Sequence, residues 1–192
     1  MKLTQRFNFA LLYAAQLHAD QVRKGNNVPY LTHLLSVASI VLEYGGSEDQ
    51  AIAALLHDAV EDQGGEPRLE EIRQVFGETI ARIVADCTDA FVTPKPPWRE
   101  RKETYIANLS HVSPASHLVS CADKLHNART VTQDYRQVGE EIWKRFKGGR
   151  EGSLWYYRAI TDAFKAMDRH PIVDELDRVV TELENITAHT GG

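Results

Sequence analysis

Apolar residues return every three or four positions through most of this chain, in runs cut by glycine and proline. Phe7, Leu11, Ala14, Ala15 and Leu17 open the pattern, and Val37, Ile40, Val41 and Tyr44 repeat it. That spacing gathers apolar groups on one face of a helix; a half-buried strand would need strict alternation, which no stretch of useful length provides. The interruptions are Gly25-Asn26-Asn27 with Pro29, Gly45-Gly46, Gly64-Gly65 with Pro67, the run Thr93-Pro94-Lys95-Pro96-Pro97, Ser113-Pro114, Gly148-Gly149 and Pro171. They predict an all-α fold of about eight or nine helices joined by short loops. Ser47, ahead of Gln50, and Ser113, ahead of Ser116, stand where helix-capping hydroxyls belong. A chain of 192 residues is then expected to form one domain, with a core over about 5–170 and a last helix over about 171–188.

Net charge is −5, so no global basic field recruits DNA or RNA, and a polyanionic ligand would need a local basic site. No run reaches membrane-spanning length. The opening "MKLTQRFNFALLYAAQLHADQ" puts basic residues before an apolar run, as a signal peptide does, but Asn8, Gln16 and His18 fall on a helical polar face and argue against export. Cys87 and Cys121 lie in no metal-binding or redox spacing, which predicts core thiols in a reducing, cytoplasmic setting. His111, His117, His170 and His189 read as surface residues, and the closing "HTGG" as a disordered tail.

The segment "AIAALLHDAVED" departs from this ordinary pattern. Read as one helix, it stacks His57 on Glu61 and Asp58 on Asp62, while Ile52, Leu55, Leu56, Ala59 and Val60 cover the rest. An unpaired carboxylate buried in such surroundings would protonate, whereas a divalent cation compensates several at once. His57 and Asp58 alone are too few ligands. His33, in "PYLTHLLSVASIV", and Asp123, in "HLVSCADKLHNARTV", are ionisable groups on otherwise apolar helices and can complete the set. Taken singly, each has a plainer explanation: His33 as a hydrogen-bonded core residue, Asp123 as a partner of Lys124 or Arg129, Glu61 and Asp62 as a solvated helix end. Their joint occurrence is what the plainer explanations miss. Two imidazoles and two carboxylates suit Mn²⁺ without excluding Zn²⁺ or Fe²⁺.

With those positions assembled, the chain resembles the HD-domain metal-dependent phosphohydrolases, and within them the small alarmone hydrolases of the RelA/SpoT homologue superfamily. The motifs "HADQVRKGNNVPYLTH", "ALLHDAVED" and "ADKLHNART" carry the likeness, supported by "PPWRERKETYI". The resemblance implies a metal, usually manganese, on His33, His57, Asp58 and Asp123. It implies that Glu61 and Asp62 orient or deprotonate the attacking water, and that Arg23, Lys24, Asn127 and Thr130 hold the nucleotide. The implied reaction removes the 3′-pyrophosphate of guanosine tetra- or pentaphosphate, or of an adenine analogue, as pyrophosphate. Ala59 and Leu34 depart from residues frequent in that family, at positions outside the implied ligand set.

Further positive charge sits at Arg99, Arg101 and Lys102, and at Lys144, Arg145, Lys147 and Arg150, where a solvated helix face competes with phosphate binding. Trp155, Tyr156 and Tyr157 read as helix packing more than base stacking. Action on another nucleotide, or a non-catalytic nucleotide sensor, remain the alternative functions, and pairing of two copies stays open.

Overall fold

The computed structural model describes residues 2–25, 27–91, 94–167 and 170–188. Ten α-helices follow one another there: α1 (Gln5–Leu17), α2 (Leu31–Glu43), α3 (Glu48–Leu56), α4 (Ala59–Gln63), α5 (Gly65–Phe76), α6 (Glu78–Cys87), α7 (Trp98–Asn108), α8 (Pro114–Val138), α9 (Gly149–Met167) and α10 (Pro171–Ala188). Short 3₁₀ segments at Leu109–His111 and Gly139–Arg145 flank α8. No strand occurs among the described residues, and the one isolated bridge pairs Val22 with Pro29.

The breaks fall largely where glycine and proline predicted them. Ser47 caps α3 through a reciprocal pair: its hydroxyl accepts from the Gln50 amide, and its own amide donates to Gln50 Oε1. Ser113 accepts from the Ser116 amide, and Pro114 follows as the first residue of α8. Gly77, with φ 93°, separates α5 from α6, a boundary the breaker pattern had not included.

The helix expected through His57 and Asp58 is instead interrupted there. A regular helix points consecutive side chains about 100° apart, so two neighbours reach one point only where the backbone departs from it. Asp58 has φ −95° and ψ −2°, and the His57 ring Nδ1 donates to the Ala54 carbonyl at 2.8 Å. The result is α3 and a five-residue α4 in place of one helix. Counted together, they bring the described helices to nine.

Helix α3 is the centre of the fold. Ala51, Ile52, Ala53, Ala54, Leu55 and Leu56 are all fully buried, as expected of a helix apolar on every side, and burial of each of its large side chains contributes about 1.5–3 kcal/mol. It packs against α1, α2, α6 and α8, and α8 in turn packs on α2, α6, α9 and α10. The C-terminal end of α3 therefore opens in the middle of the molecule, facing α2 and α8. Among the described residues no helix is long and apolar enough to cross a membrane.

Two expectations about single residues change. His18, read on a polar face, is 2 % exposed, because α1 ends there and the ring stacks on Tyr30 with centroids 5.4 Å apart. His111 is exposed, but His117 and His170 are half-buried; His117 Nε2 lies 2.7 Å from the Leu109 carbonyl and its ring meets Phe164 edge-on. His189 and the closing "HTGG" lie outside the described residues.

Candidate metal centre and its cleft

Four side chains from four helix ends or faces converge. His57 closes α3, Asp58 precedes α4, His33 lies in the first turn of α2, and Asp123 comes from α8. His33 and His57 are 1 % and 2 % exposed. His33 Nε2 lies 3.3 Å from His57 Nε2, 3.4 Å from Asp58 Oδ2 and 3.2 Å from Asp123 Oδ1; His57 Nε2 lies 3.0 Å from Asp58 Oδ2 and 3.6 Å from Asp123 Oδ1. Donor atoms about 2.1 Å from a shared cation, at angles of roughly 90–120°, are separated by just such distances. The donors of His33, His57 and Asp58 alone satisfy the separation needed to share an ion. The residues thus fit a divalent cation, in number, in donor type and in spacing.

The electrostatics point the same way. Burial disfavours charge on the His57 imidazole, yet the Asp58 and Asp123 carboxylates hold its pKa well above the ordinary value. Burial likewise opposes ionisation of Asp58 and Asp123, but His57 and His33 beside Asp58, and Lys124 and the histidines beside Asp123, hold both well below the usual carboxylate range. The cluster stabilises positive charge at its centre. Asp58 Oδ2 also accepts from the Tyr30 hydroxyl at 2.6 Å. Asp123 Oδ1 accepts from Asn127 Nδ2 at 2.5 Å, while its Oδ2 accepts from Lys124. The Lys124 pairing weighed from sequence is therefore present, on the oxygen turned away from the histidines; Arg129 pairs with Glu175 instead.

A cleft of about 470 Å³ opens over the cluster, with Asp58, Asp123, Glu61 and Asp62 on its wall, in the ordinary range for small-molecule sites. Glu61 and Asp62 have different surroundings. The Glu61 side chain is 24 % exposed, accepts from Lys95 Nζ at 2.8 Å, and lies 3.8 Å from Arg101 Nη1. Burial and the nearby Asp89 raise its pKa, against the opposing Lys95 hydrogen bond. Asp62 is exposed and accepts from Gln21 Nε2 at 2.8 Å.

Arg23, Lys24, Asn127 and Thr130 all reach the cleft wall. Arg23 Nη2 donates to Asn127 Oδ1 at 2.7 Å, with its guanidinium 5.7 Å from the Tyr30 ring centroid. Asn127 therefore links Arg23 to the Asp123 carboxylate. Lys24 is exposed, and the Thr130 hydroxyl donates to the His126 carbonyl at 2.9 Å. Of the further basic residues, Arg101, Lys102, Arg145 and Lys147 reach the cleft. Arg99 instead pairs with Glu103 and lies over Trp155, Lys144 pairs with Glu141, and Arg150 donates to the Thr187 carbonyl. Tyr156 and Tyr157 are buried as packing residues, and both also line the cleft.

Several residues of the site had no signal in the spacing. Tyr30, Lys95, Asp89, Trp98 and Lys124 come to the cleft through tertiary packing. Asp89 binds both Arg101 and Lys102 with its side chain only 4 % exposed. Trp98 lines the cleft and lies against Gly148 and Gly152, and a Cβ at Gly148 would stand 2.7 Å from its ring. The two glycines are the notch that seats it.

An all-helical fold with a His, His-Asp, Asp cluster under a cleft defines an HD-type domain, and a family model described as HD domain matches residues 10–154. The chain belongs to the HD domain family. It is 37 % identical over 151 residues to the guanosine-3′,5′-bis(diphosphate) 3′-pyrophosphohydrolase MESH1 of Xenopus tropicalis, covering 71 % of this chain and 82 % of that protein. To the Danio rerio MESH1 it is 39 % identical over 151 residues, covering 71 % of this chain and 81 % of that protein. Among solved structures it is similar to a metazoan ortholog of SpoT, reported to hydrolyze ppGpp and to play a role in starvation responses. That match has a TM-score of 0.77 and 26 % identity, and covers 95 % of this chain and 97 % of the other.

Proposed function

We propose that this protein is a metal-dependent hydrolase that removes the 3′-pyrophosphate of guanosine-3′,5′-bis(diphosphate) or its pentaphosphate relative, releasing pyrophosphate and GDP or GTP. The observation that carries the reading is the convergence of His33, His57, Asp58 and Asp123 at 3.0–3.6 Å beneath a cleft that also holds Glu61. Those four side chains would hold the cation, Mn²⁺ in our reading of a mixed nitrogen and oxygen donor set. When bound, it supplies Lewis acidity toward a phosphoryl oxygen and a nucleophilic water at neutral pH.

The chain's own groups do the rest. Glu61, partly buried and with its pKa raised, takes the proton of the attacking water, and Asp62 on the same short helix helps to orient that water. Lys102, Lys124, Arg145 and Lys147 on the wall offset substrate charge, and the Tyr156 hydroxyl, buried with no hydrogen-bond partner among the described residues, is a donor available to a phosphate oxygen. Arg23, with Lys24, Asn127 and Thr130, takes the nucleoside end, the guanidinium offering a flat face to the base. Cys87 and Cys121 are not joined in a disulfide, which suits a reducing compartment such as the cytoplasm.

The test is product analysis. Purified protein with Mn²⁺ and guanosine-3′,5′-bis(diphosphate) should release pyrophosphate and GDP, and Asp58→Ala should release neither. Orthophosphate as the sole phosphorus product, or no reaction with the guanine or adenine compound, would overturn the proposed substrate.

A further inference from the structure

His126 lies on α8 three residues beyond Asp123, half-buried, and no role for it emerges from the site so far. Its Nδ1 is 2.7 Å from Nδ1 of His33, with ring centroids 4.8 Å apart. Two imidazole nitrogens at that distance form a hydrogen bond only when one carries the proton and the other offers its lone pair. Which one donates determines what His33 can do on its other side. Were His126 the donor, a neutral His33 would carry its proton on Nε2 and present N–H, not a lone pair, to His57, Asp58 and Asp123. With His33 Nδ1–H donating to His126, the Nε2 lone pair faces the cluster.

His57 is set in the same way by a different acceptor, because its Nδ1 donates to the Ala54 carbonyl at 2.8 Å. Histidine ligands are commonly fixed through such a bond from the far ring nitrogen. His33 sits in the first turn of α2, and the side chain of His126 stands where it can serve instead. The Tyr30 ring meets His33 edge-on at 5.5 Å and His57 does so at 5.1 Å, so neighbours restrain the ring plane while His126 decides its proton.

We propose that His126 is a positioning residue for the metal centre: its Nδ1 accepts the His33 Nδ1–H and so holds His33 in the tautomer whose Nε2 binds the cation. This rests on the metal reading of His33, His57, Asp58 and Asp123. The experiment is Mn²⁺ titration, by calorimetry or by competition with a fluorescent chelator, of the wild type and of His126→Leu, His126→Asn and Asp58→Ala. Leucine fills the space without an acceptor. Asparagine places an amide oxygen at the position of Nδ1 and so retains one. Mn²⁺ affinity should fall about 10–100-fold in His126→Leu, the usual cost of removing such a partner, and stay within about threefold of wild type in His126→Asn. Equal melting temperatures of the two metal-free variants would assign the difference to the hydrogen bond. Wild-type affinity in His126→Leu, or equally weakened binding in both His126 variants, would overturn the proposal. Undiminished binding in Asp58→Ala would remove the metal reading itself, and this inference with it.

Discussion

Replacing Glu61 with glutamine isolates proton transfer from binding. Glu61 is absent from the four-donor cluster, so Mn²⁺ affinity should hardly change. Stability should change little as well: what is lost is the charge facing Lys95, whose side chain is 33 % exposed, and a solvated pair of this kind is worth about 0–1 kcal/mol. The amide oxygen still accepts from Lys95 but takes up a proton poorly. Turnover should therefore drop by about 10²–10⁴, equivalent to roughly 2.7–5.4 kcal/mol of transition-state stabilisation. The pH profile sharpens the test. Glu61 acts as a base only when ionised, and burial and Asp89 raise its pKa, so activity should rise with pH through a limb above the ordinary glutamate range. In Glu61→Gln that limb should disappear. Steady-state pyrophosphate release across pH, with metal content measured on the same samples, reads both effects. A variant with wild-type turnover and an unmoved acid limb would refute the assignment, leaving Asp62 or no protein base at all.

Arg23→Ala should weaken binding of a non-hydrolysable nucleotide while metal content stays constant, since Arg23 reaches the four-residue cluster through Asn127 and Tyr30 and is not itself one of the four; unchanged affinity would make Arg23 an ordinary solvated cation. Asp89→Ala should cost about 3–5 kcal/mol in urea unfolding, the price of leaving a buried charge unpaired, because Arg101 is 9 % exposed and keeps only Glu61, at 3.8 Å, as a carboxylate neighbour among the described residues. A loss under about 1 kcal/mol would mean the pair is effectively solvated.

Much of the site could be read from residue type and local period. His33, His57, Asp58 and Asp123 stand out because ionisable groups on apolar helices carry an energetic penalty that a shared cation removes, and the structure brings those four together. Arg23, Lys24, Asn127 and Thr130, which the family resemblance rather than the period singled out, reach the same cleft wall. The failures were of another kind. His57 and Asp58 were placed on a continuous helix, yet they reach one point because the backbone breaks between α3 and α4, a departure that periodicity does not report. Arg99, Lys144 and Arg150 could not be told from Arg101, Lys102, Arg145 and Lys147 by composition, since each pairing depends on which helix faces which.

The sequence by itself determined most of the helices, the breakpoints that the glycine and proline clusters mark, the central apolar segment of residues 51–56 and the candidates for sharing a cation, because these follow from propensity, period and the cost of burying charge over a few turns. Tertiary structure decided the rest. The Tyr30 bond to Asp58, Lys95 on Glu61, Trp98 seated on Gly148 and Gly152, and the His33–His126 pair join residues distant in the chain. Each depends on helix packing angles and on loop paths through solvent, which the side-chain period along any one helix does not encode.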